Sequence, residues 1–169
     1  MGEREELVET LDKHRGLLRR TTRDLTDAQA AERTTVSELT LGGLVKHVAA
    51  AEARWARFMT GGAEGIRGRD GEHGPDNQEA WAAQFRMVEG DTLAGLLAEY
   101  ERVARGTDEL VGSLPDLDLA HELPRAPWFP PGTAWSARRV LLHLIAETAQ
   151  HAGHADIIRE SLDGAKSMG

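Results

Sequence analysis

The sequence contains no cysteine among its 169 residues. Disulfide bonds and thiolate metal sites are therefore excluded, and the protein cannot supply a thiol nucleophile of its own. Any thiol chemistry requires a thiol that arrives with a substrate. The lack of cysteine also fits a cytoplasmic protein, which is the location we expect.

Long apolar runs and a basic surface are missing as well. No stretch approaches about eighteen consecutive apolar residues, so we expect no membrane-spanning helix. The N-terminal segment MGEREELVET is charged and has no apolar centre, so we expect no signal peptide. The formal net charge is −8. This balance argues against nucleic acid and membrane surfaces as partners, because both favour a basic face.

Alternation with a period of two, which is typical of strands, is also scarce. Four long segments instead repeat apolar residues at steps of three and four, which predicts helices. The expected helices run from about Arg4 to Asp24, Leu41 to Met59, Thr92 to Leu114 and the Ser136 cap to Leu162, with a short one near Glu79 to Val88. A glycine-rich loop over 60–78 and a proline-rich segment over 115–135 separate them. We therefore predict one domain over residues 1–169, an all-α antiparallel four-helix bundle.

The last predicted helix carries histidines and a glutamate at helical spacing, in the stretch HLIAETAQHAGHADIIRE, residues 143–160. Four residues advance a helix by about 40° beyond a full turn, so His143, Glu147 and His151 form one ladder. Because side chains at i and i+4 converge, Glu147 and His151 can grip one metal ion. His47, on the second predicted helix, points partly inward and is the candidate third ligand. Two imidazoles and one carboxylate leave a position open, which is typical of a reactive metal site.

Ordinary interpretations of the same residues stay open. Glu147 and His151 can form an exposed i,i+4 pair, and His47 can be a hydrogen-bonded core histidine. His143 and His154 are candidates for supporting a ligand from outside the metal's coordination shell, or for proton transfer. Spacing alone therefore makes a metal site one hypothesis among several.

Two stretches, LTLGGLVKHVAAAEARW and WSARRVLLHLIAETAQHAGHADIIRE, resemble the signature segments of the DinB-like superfamily of metal-binding four-helix proteins. The resemblance covers nearly the whole chain. It is closest to the mycothiol S-transferase-like branch, which is related to the N-terminal domain of mycothiol-dependent maleylpyruvate isomerases. It implies a DinB-like bundle in which His47, Glu147 and His151 bind a divalent metal, zinc in the first place and nickel as the alternative. His154 stands where many relatives have glutamine, which implies a place outside the ligand set.

The resemblance also implies a function, that of a metal-dependent thiol transferase acting in detoxification. Such an enzyme activates mycothiol or another low-molecular-weight thiol for attack on an electrophilic small molecule, and those two molecules are the expected partners. Two alternatives remain, namely a metal-dependent hydrolase, in which the ion activates water, and a non-enzymatic metal-binding stress protein. We also expect a homodimer, because Trp55, Phe58, Trp81 and Phe85 offer apolar area that four helices do not fully cover.

Overall fold

Helices dominate the computed structural model, which describes residues 2–67 and 82–168. They are α1 (Glu3–Arg20), α2 (Asp27–Ala31), α3 (Leu41–Arg67), α4 (Leu93–Ser113) and α5 (Ala137–Asp163). Two short strands, β1 (Ala120–Glu122) and β2 (Ala134–Ser136), precede the last helix. The all-α class predicted from the sequence is confirmed. Among the described residues, none of the helices has the length and apolar character that a bilayer crossing requires.

Local sequence explains where several helices begin and end. Thr26 caps α2 by accepting a hydrogen bond from the Gln29 amide at 3.2 Å, and the Gln29 side chain accepts one from the Thr26 amide at 3.0 Å. Ser136 caps α5 by accepting from the Arg139 amide at 3.2 Å. α5 ends at Gly164, whose φ of 80° lies in the left-handed region that favours glycine.

Two boundaries differ from those expected. α3 continues past Met59 to Arg67, with an interruption at Gly62, whose φ of 57° and ψ of −145° are not helical. Glycine adopts this backbone conformation without a Cβ clash, so the chain bends and resumes its helix. In the described part of the short helix expected over 79–88, residues 82 and 83 are helical and the residues that follow them form turns. Residues 68–81 of the expected loop and helix lie outside the described residues.

The proline-rich segment contains the strand pair, which the sequence did not predict. β1 and β2 are antiparallel, and His121 lies opposite Trp135. Every proline of the segment falls outside the two strands, so no hydrogen-bond donor of the ladder is lost. The connection between α4 and α5 therefore contains a short two-stranded sheet, and the fold remains all-α.

Two apolar clusters fix the directions of the four long helices. The first contains Leu11, Trp55, Phe58, Met59, Val111, Leu114, Val140, Leu141 and Leu144, and the second contains Leu18, Leu41, Leu44, Val45, Val48, Tyr100, Ala152, Ala155 and Ile158. The first cluster thus joins the earlier parts of α1 and α5 to the later parts of α3 and α4. The second cluster joins the later parts of α1 and α5 to the earlier parts of α3 and α4. α1 and α5 therefore run one way and α3 and α4 the other, so two helices run in each direction and the consecutive helices α3 and α4 are parallel.

A buried ion pair separates the two apolar clusters. Arg15 lies between Leu11 and Leu18 on α1, and both it and Glu52 on α3 are 0% exposed. The guanidinium donates to the two carboxylate oxygens of Glu52 at 2.5 and 3.1 Å, and to Asp108 Oδ1 at 3.0 Å. Burial of two opposite charges is tolerated because each satisfies the other at short range.

Two of the four aromatic residues on which the expected homodimer rests are buried. Trp55 and Phe58 are 6% and 0% exposed and belong to the first cluster, so they offer no surface to a partner. Phe85 stacks on His47. Trp81 lies outside the described residues. The homodimer therefore stays a prediction with less support than the sequence suggested.

Candidate metal centre

Side chains from two antiparallel helices meet at one point in the bundle. His47 comes from α3, whereas Glu147 and His151 come from α5, one turn apart. One ligand atom from each of the three lies within 4.8 Å of the other two. Nε2 of His47 lies 3.2 Å and Nε2 of His151 lies 3.3 Å from the same atom, Oε1 of Glu147. The structure thus brings together the three residues proposed as ligands from the sequence.

The distances between these atoms fit a divalent metal. A tetrahedral zinc site has metal–ligand distances of about 2.0–2.2 Å, which places neighbouring ligand atoms roughly 3.3 Å apart. Both nitrogen-to-oxygen distances at Glu147 agree with this spacing. Two imidazole nitrogens and a carboxylate oxygen are also a donor set that zinc accepts, with a further position left for another ligand.

Glu147 carries the negative charge of the group. Hydrogen bonds from His151 and His47 hold the pKa of its carboxyl well below the usual range, and they outweigh its partial burial, which acts in the opposite direction. The carboxylate is therefore ionised throughout the physiological range. An ionised oxygen between two imidazoles attracts a cation.

Each of the two imidazole rings also contacts a residue other than Glu147. The His47 ring stacks on Phe85, with centroids 4.1 Å apart. Its Nδ1 is buried and has no hydrogen-bond partner among the described residues. On His151, Nδ1 lies 3.4 Å from Nδ1 of His154, so one ring donates and the other accepts. His154 therefore contacts the back of His151, away from Glu147.

Two adjacent glycines explain how Phe85 comes so close to His47. A Cβ added to Gly43 would lie 1.8 Å from the carbonyl oxygen of Phe85, and one added to Gly42 would lie 2.3 Å from the sulfur of Met87. Only a residue without a side chain allows the 82–88 segment to lie directly against the first turn of α3. The GG pair in the sequence thus has a packing role one turn before His47.

His143 lies one turn before Glu147 but faces a different set of neighbours. Its ring contacts those of Trp55 and Trp135 edge-on, at centroid distances of 5.0 and 5.2 Å. Burial lowers the pKa of His143; the Glu147 carboxylate opposes this, and Arg139 and Arg54 add to it. The imidazole is therefore neutral at neutral pH and able to accept a proton.

Sequence reasoning missed two residues beside these side chains. Arg54 follows His47 by seven residues on α3, and that spacing of two turns was a signal that both share one face. Phe85 lies in a turn outside the long helices, and no periodic pattern predicts its stacking on His47.

Comparison with known proteins identifies relatives of this chain. The profile of the mycothiol S-transferase family matches residues 6–164. In structure, the chain is similar to a conserved protein of Enterococcus faecalis solved by crystallography, with a TM-score of 0.70. That match covers 98% of this chain and 99% of the other at 17% identity, so the likeness concerns the fold. No curated protein matches the sequence. The resemblance and the DinB-like bundle predicted from the sequence are confirmed.

Proposed function

The chain belongs to the mycothiol S-transferase family, and from that premise we propose that it transfers a low-molecular-weight thiol, mycothiol in the first place, to an electrophilic small molecule. In this proposal His47, Glu147 and His151 hold a divalent metal, zinc or alternatively nickel. The observation that carries the proposal is the convergence of their three ligand atoms within 4.8 Å. The absence of cysteine supports it, because no thiolate of the protein competes with the substrate thiol.

A divalent ion at this position would lower the pKa of a thiol and hold it as the thiolate, which is the nucleophilic form. Glu147 contributes a full negative charge to the centre, because its hydrogen bonds keep its pKa low. His154 orients the His151 ring through the contact between their Nδ1 atoms. His143 accepts the thiol proton, since it is neutral and lies one turn from Glu147.

The transfer forms one S–C bond. The thiol gives up its S–H proton, and a sulfur electron pair attacks the electrophilic carbon. Where that carbon carries a leaving group, the group departs with the bonding electrons. Where the carbon belongs to an activated double bond, the adjacent carbon takes up a proton. Neither case requires an oxidant or a reductant.

The proposal is tested with zinc-loaded protein, mycothiol and a panel of electrophiles, namely an aryl halide, an epoxide and an α,β-unsaturated aldehyde. Conjugates are measured by mass spectrometry against the spontaneous reaction. We expect conjugation of at least one of them to be faster than the spontaneous rate, and His47→Ala to lose that acceleration. His14→Gln is the matched control, because His14 lies on α1 and is not among the three candidate ligands.

A second measurement follows the thiol directly. Cobalt(II) replaces zinc, and mycothiol is added while the visible absorption of the cobalt is recorded. A spectral change is expected, because a thiolate alters the ligand field. An unchanged spectrum, or acceleration that survives in His47→Ala, would contradict the proposal. Ester or amide hydrolysis without thiol would favour a hydrolase, and metal binding with neither reaction would favour a non-enzymatic protein.

A further inference from the structure

Arg54 is a half-buried cation without a bonding partner in the described part of the chain. It lies two turns after His47 on α3, so the two side chains leave the helix on one face. Its solvent exposure is intermediate, and it forms no hydrogen bond or ion pair with any described residue. A guanidinium has five N–H donors, and a partly buried one is normally held by acceptors. At Arg54 such acceptors have to come from elsewhere.

Arg54 interacts electrostatically with residues of the candidate metal centre and beside it. Burial lowers the pKa of Arg54, the Glu147 carboxylate raises it, and Arg57 lowers it further. Arg54 also acts on His143, whose pKa is lowered chiefly by burial. The guanidinium is therefore within electrostatic reach of both Glu147 and His143, and it remains protonated at any physiological pH.

Charge balance indicates that Glu147 does not serve as the counterion of Arg54 once a metal ion and a thiolate are bound. A divalent cation, the Glu147 carboxylate and one thiolate are together neutral, so a loaded centre has no negative charge left for Arg54. No other acidic side chain acts on Arg54 among the described residues. With thiol and metal bound, no described acidic side chain therefore compensates the charge of Arg54.

Two other arginines near this face already have partners. Arg57 is exposed and donates from Nε to the carbonyl oxygen of Gly65 at 3.1 Å. Arg139 is exposed and its guanidinium carbon lies 4.9 Å from the centroid of the Trp135 ring. Of these three arginines in the described part of the chain, Arg54 is the half-buried one, and no described acceptor holds its guanidinium.

We propose that Arg54 binds a carboxylate on the electrophilic substrate, so that the electrophiles this protein takes are organic anions. This inference rests on the proposed thiol transfer. The planar guanidinium accepts a carboxylate through two parallel N–H···O bonds, which fixes orientation as well as charge. In this arrangement Arg54 positions the electrophile. His47, Glu147 and His151 hold the metal ion that would bind the thiol.

The test compares two probes of nearly equal shape, 4-chloro-3-nitrobenzoate and 4-chloro-3-nitrobenzamide. Each is titrated into zinc-loaded protein without thiol, and quenching of tryptophan fluorescence by the nitroaromatic ring reports binding. The parent should bind the benzoate about ten-fold or more tightly than the amide, because a charge-assisted pair is stronger than a neutral contact. Arg54→Gln should remove this preference, and Arg54→Lys should keep part of it. Arg57→Gln, the control one turn further along α3, should keep all of it.

Two results would overturn the proposal. In the first, the parent binds both probes equally. In the second, Arg54→Gln keeps the preference, and loss of that remaining preference on removal of zinc would assign the carboxylate to the ion. Zinc affinity is measured for each variant. If Arg54→Gln does not retain zinc, Arg54→Lys decides, because it should bind the benzoate more weakly than the parent at unchanged zinc affinity.

Failure of this proposal and failure of the proposed function are distinguishable. The titration contains no thiol, so its result does not depend on thiol transfer. In turnover with mycothiol, Arg54→Gln should raise KM for the benzoate far more than for the amide. Loss of the benzoate preference in Arg54→Gln without any thiol transfer in the parent would contradict the proposed function while leaving the carboxylate site intact.

Discussion

Nε2 of His47 and Oε1 of Glu147 lie 3.2 Å apart, although a hundred residues separate them in the chain. The contact joins α3 to α5. His151 adds its own Nε2 at 3.3 Å from the same oxygen. Glu147 is thus the residue on which both imidazoles converge, and its charge is the property to vary first.

Glu147→Gln should weaken zinc binding more than His154→Gln does. Glutamine keeps the size of the side chain but removes the charge that both imidazoles face. His154 contacts the back of His151, and changes at such positions typically cost about 10–100-fold in affinity. The measurement is a zinc titration of each variant against a competing chelator. Tight binding by Glu147→Gln together with loss of binding in His154→Gln would place His154 among the ligands instead.

Zinc affinity should fall as the pH is lowered, because protons compete with the metal for imidazole ligands. Glu147 should not contribute to this fall. Its pKa is held well below the usual range, so it remains ionised across the pH range of the experiment. The check is a series of chelator-competition titrations between about pH 5 and pH 8. An affinity that does not change across this window would argue against imidazole ligands.

Glu52→Leu should lower the free energy of unfolding by about 3–5 kcal/mol, because Arg15 would remain buried without its main partner. The double variant Arg15→Met with Glu52→Leu should recover much of that loss, since it buries no charge. Urea denaturation measures both. The exposed pair of Arg102 and Glu99 supplies the control, in which Glu99→Ala should cost only about 0.2–1 kcal/mol. Equal losses at Glu52 and Glu99 would mean that the buried pair contributes no more than a surface one.

Gly43→Ala should destabilise the protein by about 1–3 kcal/mol. The new Cβ would lie 1.8 Å from the Phe85 carbonyl oxygen, a backbone atom that moves only with its whole segment. Gly106→Ala is the control, because nothing lies within 4 Å of its added Cβ. It should instead stabilise α4 by about 0.5–1 kcal/mol, the usual gain over glycine in a helix. Thermal or urea unfolding compares the two, and an unchanged Gly43→Ala would show that the segment is not held against α3.

A homodimer remains a prediction. Trp55 and Phe58 no longer support it, whereas Leu142 and Ile157 on α5 are 46% and 62% exposed. Light scattering at micromolar concentration should give twice the 18.5 kDa mass of the chain. The mass of a single chain across that range would refute the dimer.

Local periodicity was sufficient to predict the long helices and the ladder of Glu147 and His151, because both depend only on the pitch of a helix. His47 was proposed as their partner from its inward position on the second predicted helix, and the resemblance implied the same residue. β1 and β2 could not be predicted in this way. Three residues at 120–122 pair with three at 134–136 through contacts between distant parts of the chain, which short-range propensity does not record.

The buried ion pair of Arg15 and Glu52 could not be predicted from the sequence for a different reason. Arg15 occupies the apolar face of α1 between Leu11 and Leu18, and Glu52 lies between Val48 and Trp55 on α3. Each position was visible in the sequence as a polar residue in an apolar stripe. Charged residues are rarely buried unless they are paired, so neither position alone predicts burial. The pairing itself depends on how α1 packs against α3, which no single helix reveals.

The Arg15–Glu52 pair also sets the axial register of the bundle. Apolar ridges and grooves repeat with every helical turn, so apolar packing alone tolerates a slide of about 5.4 Å between two helices. After such a slide, the Arg15 guanidinium would face the apolar cluster on one side or the other instead of Glu52. α1 also packs against α5, which carries Glu147. An ion pair that includes neither His47 nor Glu147 therefore helps to keep these two side chains at the same height in the bundle.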